Sequence, residues 1–282
     1  MKIEFYGVRG STPTPGKDTL VFGGNTSCVY VCLNDGHDVI LDAGTGIIRL
    51  GDRLVKEHSP ITVLLTHNHW DHIQGFPYFK PIHQPKRKIT LVPGAVEFDD
   101  KDMILKQMSG SSHPVKFDQL PADINVDTKL ALTKSFEIPG FSVETQYLNH
   151  PDGGTAYCLY GDGKKLAYVT DNELNTPNAP KTSWQQWLDF IAEADVLIHD
   201  AQYTKQDLPL KLGWGHSIFD DVGKLADEAN VKTLFIISHD PARTDDELLC
   251  EEKKLQAKYT DSLRVYCARE GTIVDLEKSD DK

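Results

Sequence analysis

Residues 67 to 72 read His-Asn-His-Trp-Asp-His, three imidazoles and a carboxylate within six positions, directly after the apolar β-like run Ile61 to Leu65. Polar loops collect single histidines for many reasons, but four such donors at this spacing point to metal. His67 and His69 are two apart, so in an extended segment they leave the same face and can reach one ion together. Asp71 and His72 follow where the chain must turn and point elsewhere, which suits a second ion.

A dinuclear site with three ligands per ion and a bridging carboxylate needs more donors than this segment holds. Isolated candidates recur downstream, each at the end of an apolar β run. Phe141 to Leu148 leads into Asn149-His150-Pro151, Leu166 to Thr170 ends at Asp171, and Thr233 to Ser238 ends at His239. A histidine inside such a run is usually a packed core residue, whereas one just beyond it lies at a sheet edge, where sites are built.

The order H-x-H-x-D-H, then a later His, a later Asp and a last His, resembles the metallo-β-lactamase superfamily over nearly the whole chain. The resemblance implies an α/β fold, an αββα four-layer sandwich with metals at one edge. Matched residue by residue, it gives His67, His69 and His150 to a first ion, Asp71, His72 and His239 to a second, and Asp171 as the bridge.

The C-terminal half looks most like the phosphodiesterase branch, which includes the tRNA 3′-end processing nucleases and the phosphoribosyl cyclic phosphodiesterases. The matching residues are Val196-Leu197-Ile198-His199-Asp200-Ala201, Gly215-His216-Ser217 and Ile237-Ser238-His239-Asp240. In that branch the histidine of the G-H-S/T position donates a proton to the leaving oxygen, supported by the acidic residue of the H-E/D-A segment. His216 and Asp200 stand at those positions, and Asp71 is expected to orient the nucleophile as well as hold metal.

With 282 residues, 39% of them hydrophobic, the chain can bury a two-layer core as a single domain, with residues 277 to 282 expected to fray. Its net charge of −12 disfavours a long polyanion held by surface electrostatics, so a small phosphodiester is the expected substrate and nucleic acid is not. Pro85-Lys86-Arg87-Lys88, the sole basic cluster, reads as a solvated loop before a strand. The five cysteines are scattered, without C-x-x-C spacing, so neither a disulfide framework nor a zinc knuckle is indicated. No N-terminal cationic and apolar signal and no membrane-length run is visible, so a soluble cytoplasmic protein is expected, with a homodimer implied by the resemblance.

Strands are predicted near 2–7, 27–33, 38–42 and 61–65, and helical faces over 47–57 and 183–194, with further helices near 219–229 and 245–258 and a terminal strand near 263–275. Residues 76–126 read as loops with one short helix near 98–108 that shape the substrate pocket. Val8-Arg9-Gly10-Ser11 and Gly23-Gly24-Asn25-Thr26-Ser27 combine backbone freedom with polar side chains. Arg9, Asn25 and Ser27 are therefore candidate substrate contacts. His37, His58, His83 and His113 lie outside any motif and read as surface or loop residues, with His83 the first exception to expect.

The expected reaction is metal-dependent hydrolysis of a small cyclic phosphodiester, a cyclic nucleotide or a phosphoribosyl cyclic phosphate. Two divalent ions would hold the water between them as hydroxide near neutral pH. Zinc is the expected metal, and manganese or iron also suits the donors. Competing readings are tRNA 3′-processing, thioester or lactam hydrolysis, and a non-catalytic metal-containing sensor module. His150 and Asp171 are only 21 positions apart, too close for the long RNA-gripping arm that many processing nucleases carry there.

Overall fold

The computed structural model describes residues 1–94, 102–111 and 113–277. Two seven-stranded sheets are formed. The first contains β1 (Lys2–Gly7), β2 (Cys28–Cys32), β3 (Asp38–Leu41), β4 (Ile61–Leu64), β5 (Lys88–Val92), β6 (Asp123–Val126) and β14 (Ile273–Asp275), in the order β14-β1-β2-β3-β4-β5-β6. The second contains β7 (Ser135–Ile138), β8 (Phe141–Tyr147), β9 (Thr155–Gly161), β10 (Lys164–Val169), β11 (Val196–Asp200), β12 (Thr233–Ile237) and β13 (Arg264–Cys267), in the order β13-β12-β11-β10-β9-β8-β7.

Each sheet is half antiparallel and half parallel. β3 to β6 run parallel, as do β10 to β13. Parallel neighbours need crossovers, and helices make most of them. α1 (Gly46–Leu54) lies on the outer face of the first sheet; α4 (Trp184–Ile191), α5 (Phe219–Glu228) and α6 (Asp245–Lys258) lie on that of the second. Two four-residue helices, α2 (Trp70–Ile73) and α3 (Met103–Lys106), complete the set.

Strand sequences show why both faces are covered. β11 (VLIHD) and β12 (TLFII) are buried at every position. Val196, Ile198, Phe235 and Ile237 face the first sheet, packing with Ile3, Phe5, Val29, Val31 and Leu64, while Leu197, Leu234 and Ile236 face α4–α6. The period-two alternation thus feeds two cores. A third core under α1 joins Ile47, Leu50 and Leu54 to Tyr30, Ile40, Val63 and Ile89. The four layers of the expected sandwich are all present.

Some expectations need correction. Residues 76–126 are not only loops, because β5 and β6 add two parallel strands to the first sheet; the described part of the expected helix is Met103–Lys106, and residues 98–101 lie outside the described residues. The single terminal strand is two strands in different sheets, β13 and β14, separated by a turn at Gly271 (φ 82°). Arg87 is buried, donating to the Glu57 carbonyl, while its neighbours Lys86 and Lys88 are exposed as expected. His113 is buried too, with Nδ1–H donating to the Val115 carbonyl at 2.7 Å. Residues 278–282 of the tail lie outside the described residues.

Candidate metal centre

β3, β4, β8, β10, β11 and β12 all point their carboxyl ends at one edge of the sandwich, the usual location of sites in α/β sheets. Asp42, His67–His72, His150, Asp171, Asp200 and His239 therefore meet there although they span two hundred residues of chain. Several strands end in a left-handed residue that turns its side chain inward: Asp42 (φ 62°), Asp171 (φ 51°) and Ser238 (φ 58°), joined by Ser11 (φ 62°). Such conformations in non-glycine residues cost about 1–3 kcal/mol each and cluster at functional sites.

Asp171 is the hub. Its Oδ2 lies 3.1 Å from Nε2 of His72, 3.6 Å from that of His67 and 4.0 Å from that of His150. Its Oδ1 accepts from Ser238 Oγ at 2.7 Å and Thr170 Oγ1 at 3.0 Å, which fixes the carboxylate plane. Donor atoms of His67, His69, His150 and Asp171 all lie within 4.8 Å of one another, and so do those of Asp71, His72 and Asp171. These are the two ligand sets that the resemblance implies, less one member, since His239 joins neither group.

The hydrogen bonds set the tautomers. His72 Nδ1–H donates to Asp42 Oδ2 at 3.0 Å, His150 Nδ1–H to the Gly215 carbonyl at 2.9 Å, and His239 Nε2–H to the Ala268 carbonyl at 2.9 Å. His67 Nδ1–H donates to Thr66 Oγ1 at 3.0 Å, and that hydroxyl passes its own hydrogen to Asp42. In His67, His72 and His150 the other nitrogen faces Asp171, the support that metal-bound histidines typically receive. His67 Nε2 and His239 Nδ1 are buried with no hydrogen-bond partner among the described residues. His150 Nε2 and His69 Nδ1 sit 2.9 Å apart, a contact that needs a hydrogen or a cation between the two nitrogens.

Electrostatics agree with a metal. Burial holds His67 well below the imidazole range, His150 near 4 and His239 near 3, so all three rings are neutral and offer lone pairs. Burial opposes the charge on His72 as well, but Asp71, Asp171 and Asp42 outweigh it and raise its pKa well above the ordinary value. Against burial, His72 and His216 keep Asp171 ionised far below the carboxylate range. The neutral rings of His67 and His150 beside charged carboxylates fit a divalent cation, and the acidic surroundings that favour positive charge on His72 suit a cation there as well.

On the far side of Asp171 stands the second couple. His216 Nδ1–H donates to Asp200 Oδ1 at 3.2 Å, and Asp200 Oδ2 accepts the Ser217 N–H at 2.9 Å. Donor atoms of Asp171, Asp200 and His216 also lie within 4.8 Å of one another. Burial disfavours charge on His216, but Asp200 and Asp171 prevail and push its pKa up to about 9; burial raises Asp200 to about 6.

The expected substrate contacts are corrected. Arg9 is fully buried and its guanidinium is held by backbone carbonyls: Nε and Nη2 donate to Gly23, and Nη1 to Asp240 and Arg243. Asn25 Nδ2 donates to Glu270 at 2.8 Å, and Ser27 is sealed from solvent. Backbone freedom in the first segment does serve an anion, but the anion is protein: the Ser11 N–H donates to Asp71 Oδ2 at 2.7 Å. Sequence reasoning missed Asp42, whose carboxylate also accepts from the Thr66 N–H and Tyr168 O–H, although it too directly follows a strand.

Residues 37–239 match the beta-lactamase superfamily domain, more than half of the chain. The chain belongs to the beta-lactamase superfamily. It is a metal-dependent hydrolase of that superfamily. It is similar to a Ribonuclease Z of Haloarcula marismortui, 23% identical over 305 aligned positions that cover 90% of this chain and 91% of the relative. Among solved superfamily folds, zinc-bound PqqB from Methylobacterium extorquens superposes with a TM-score of 0.70 at 18% identity, covering 98% of this chain and 100% of that one. A diphosphatase from the PhnP family superposes with a TM-score of 0.64 at 16% identity, covering 97% of each chain. Among the described residues, no helix is long and apolar enough to cross a membrane.

Proposed function

We propose that this superfamily member hydrolyses a small phosphodiester, a cyclic nucleotide or phosphoribosyl cyclic phosphate, with two divalent ions, zinc first among them. The observation that carries the reading is the His216–Asp200 couple beside Asp171, a proton donor that a departing alkoxide needs and a thioester's thiolate does not. His67, His69 and His150 would hold one ion, Asp71, His72 and His239 the other, and Asp171 both. The ions, when bound, supply a hydroxide nucleophile at neutral pH and fixed positive charge for the phosphoryl oxygens.

The protein's own groups supply the rest. Asp71, oriented by the Ser11 N–H, positions the attacking oxygen, while Ser238 and Thr170 hold Asp171 in one plane. As the P–O bond to the leaving group breaks, His216 Nε2–H protonates the departing alkoxide. Asp200 keeps the ring's Nδ1–H engaged and stabilises its charged form before transfer. General acids of this kind contribute roughly 10²- to 10⁴-fold.

A second reading, tRNA 3′-processing, is supported by the similarity to proteins named Ribonuclease Z in Haloarcula marismortui and Pyrobaculum calidifontis. Against it stand the net charge of −12 and the short path from His150 to Asp171, filled by β9 and β10. The deciding experiment strips the protein of metal, reloads it separately with zinc and manganese, and assays bis(p-nitrophenyl) phosphate, cyclic nucleotides, phosphoribosyl cyclic phosphate and a tRNA precursor, with Asp71→Ala as control. Metal-dependent turnover of a small diester, absent in the control, supports the proposal; cleavage of the tRNA precursor alone replaces it with the second reading.

A further inference from the structure

Glu173 is a buried carboxylate that neither ligand set uses. It lies two residues beyond Asp171, and its two oxygens accept separate backbone donors: Oε1 from the Gly213 N–H at 2.8 Å and Oε2 from the Gly215 N–H at 3.1 Å. Both glycines are left-handed, with φ of 85° and 89°, a backbone shape that lets neighbouring N–H groups converge on one anion. The carbonyl of Gly215 in turn accepts from His150 Nδ1, and a Cβ at Gly215 would sit 2.2 Å from that nitrogen. His216 is the next residue.

Packing does little to hold this approach to His216. Leu210 is 86% exposed and Trp214 is 58% exposed, so the outer side of the loop buries little apolar area. Its downstream end is fixed where Ser217 N–H meets Asp200, and farther upstream Lys211 Nζ reaches Asp240 Oδ2 at 2.9 Å. Between those ties, residues 213–215 are held by the two bonds to Glu173, by the His150 bond to the Gly215 carbonyl and by the Trp214 N–H on the Lys211 carbonyl.

We propose that Glu173 is a positioning residue for the proton donor: it clamps the Gly213–Gly215 turn to the strand end that carries Asp171, so that His216 faces the departing oxygen. This rests on the reading of His216 as general acid. A mispositioned donor harms substrates in proportion to how much their leaving group needs a proton. p-Nitrophenolate departs unprotonated; phenolate, more basic, gains from protonation.

The test compares kcat/KM for methyl p-nitrophenyl phosphate and methyl phenyl phosphate in metal-loaded wild type, Glu173→Ala, Glu173→Gln and His216→Ala. The phenyl-to-nitrophenyl ratio should fall about tenfold or more in His216→Ala and Glu173→Ala, with Glu173→Gln, which keeps one acceptor, in between. The assays are run at saturating metal, because the Gly215 carbonyl that holds His150 moves with the same turn, and the double Ala variant should lose little beyond His216→Ala, as expected of two residues acting through one group. In metal-free protein, amide exchange at Gly213 and Gly215 should accelerate in Glu173→Gln while β12 stays protected. An unchanged ratio in both Glu173 variants while His216→Ala discriminates overturns the clamp and leaves the general acid standing. A His216→Ala ratio equal to wild type overturns the general acid and the clamp with it.

Discussion

The first sheet delivers His67, His69, Asp71 and His72 from the single connection after β4, whereas the second delivers His150, Asp171, Asp200 and His216 from four separate places along the chain. In the first, covalent spacing alone keeps the donors together. In the second, the meeting depends on the register of β10, β11 and β12, which sets where each strand stops. Each side also carries a carboxylate–imidazole couple of similar length, Asp42 with His72 at 3.0 Å and Asp200 with His216 at 3.2 Å. Their surroundings differ. His72 faces the two carboxylates of Asp71 and Asp171, while His216 packs against Tyr203 and His150. The same local pairing is suited to holding metal on one side and to moving a proton on the other.

The largest expected effect comes from Asp171→Ala, which removes the oxygen common to both ligand groups. Activity should fall to the limit of detection and metal content should drop at both positions, read by elemental analysis. Retention of two ions per chain would break the picture of a second-sheet residue serving both groups. Next comes His216→Ala, expected to lower turnover of substrates with poor leaving groups by roughly 10²- to 10⁴-fold with metal content intact; loss of metal would place it with the ligands.

The two carboxylates sharpen the contrast further. Asp42→Asn should weaken metal affinity by roughly 10- to 100-fold, because the ring it orients is a proposed ligand, whereas Asp200→Asn should lower turnover and leave the affinity near that of the wild type. Chelator competition separates the two outcomes, and equal affinity losses would erase the division of labour.

In metal-free protein His216 also links stability to pH. Its folded pKa, about 9, lies above the ordinary 6.5, so its contribution is fully present below pH 6.5 and disappears as pH rises through about 9. Denaturant midpoints of wild type and His216→Ala should therefore converge on that alkaline side; a constant gap would exclude the linkage. The smallest effect lies away from the centre. Thr244 Oγ1 caps α6, with Glu247 reciprocating, so Thr244→Ala should cost about 1 kcal/mol in unfolding experiments and leave turnover unchanged.

The elements that the sequence reading placed well were those with strong periodicity. β1 to β4 and α1 fall close to their expected bounds, and α4, α5 and α6 do likewise. β5 and β6 lie in a stretch whose frequent Pro, Lys and His read as loop, and β6, with the sequence DINV, is half polar and sits at a sheet edge. Arg9 and Asn25 were misassigned because glycine-rich context reports backbone freedom, not the direction of a side chain. Asp42 satisfied the strand-end rule that singled out Asp171 and His239, but it precedes His67, where the matched pattern begins. Glu173 had no local signal, since its partners are backbone groups forty residues away in the chain.

By itself the sequence determined the donor chemistry and the local geometry around His67 to His72, because side-chain types and a six-residue spacing are covalent facts. Only the tertiary structure decided which distant residues complete the centre and which nitrogen of each ring faces it. Those depend on where strands far apart in sequence stop along a shared edge and on which buried carbonyl or carboxylate each ring meets there, and neither is encoded in any short window of the chain.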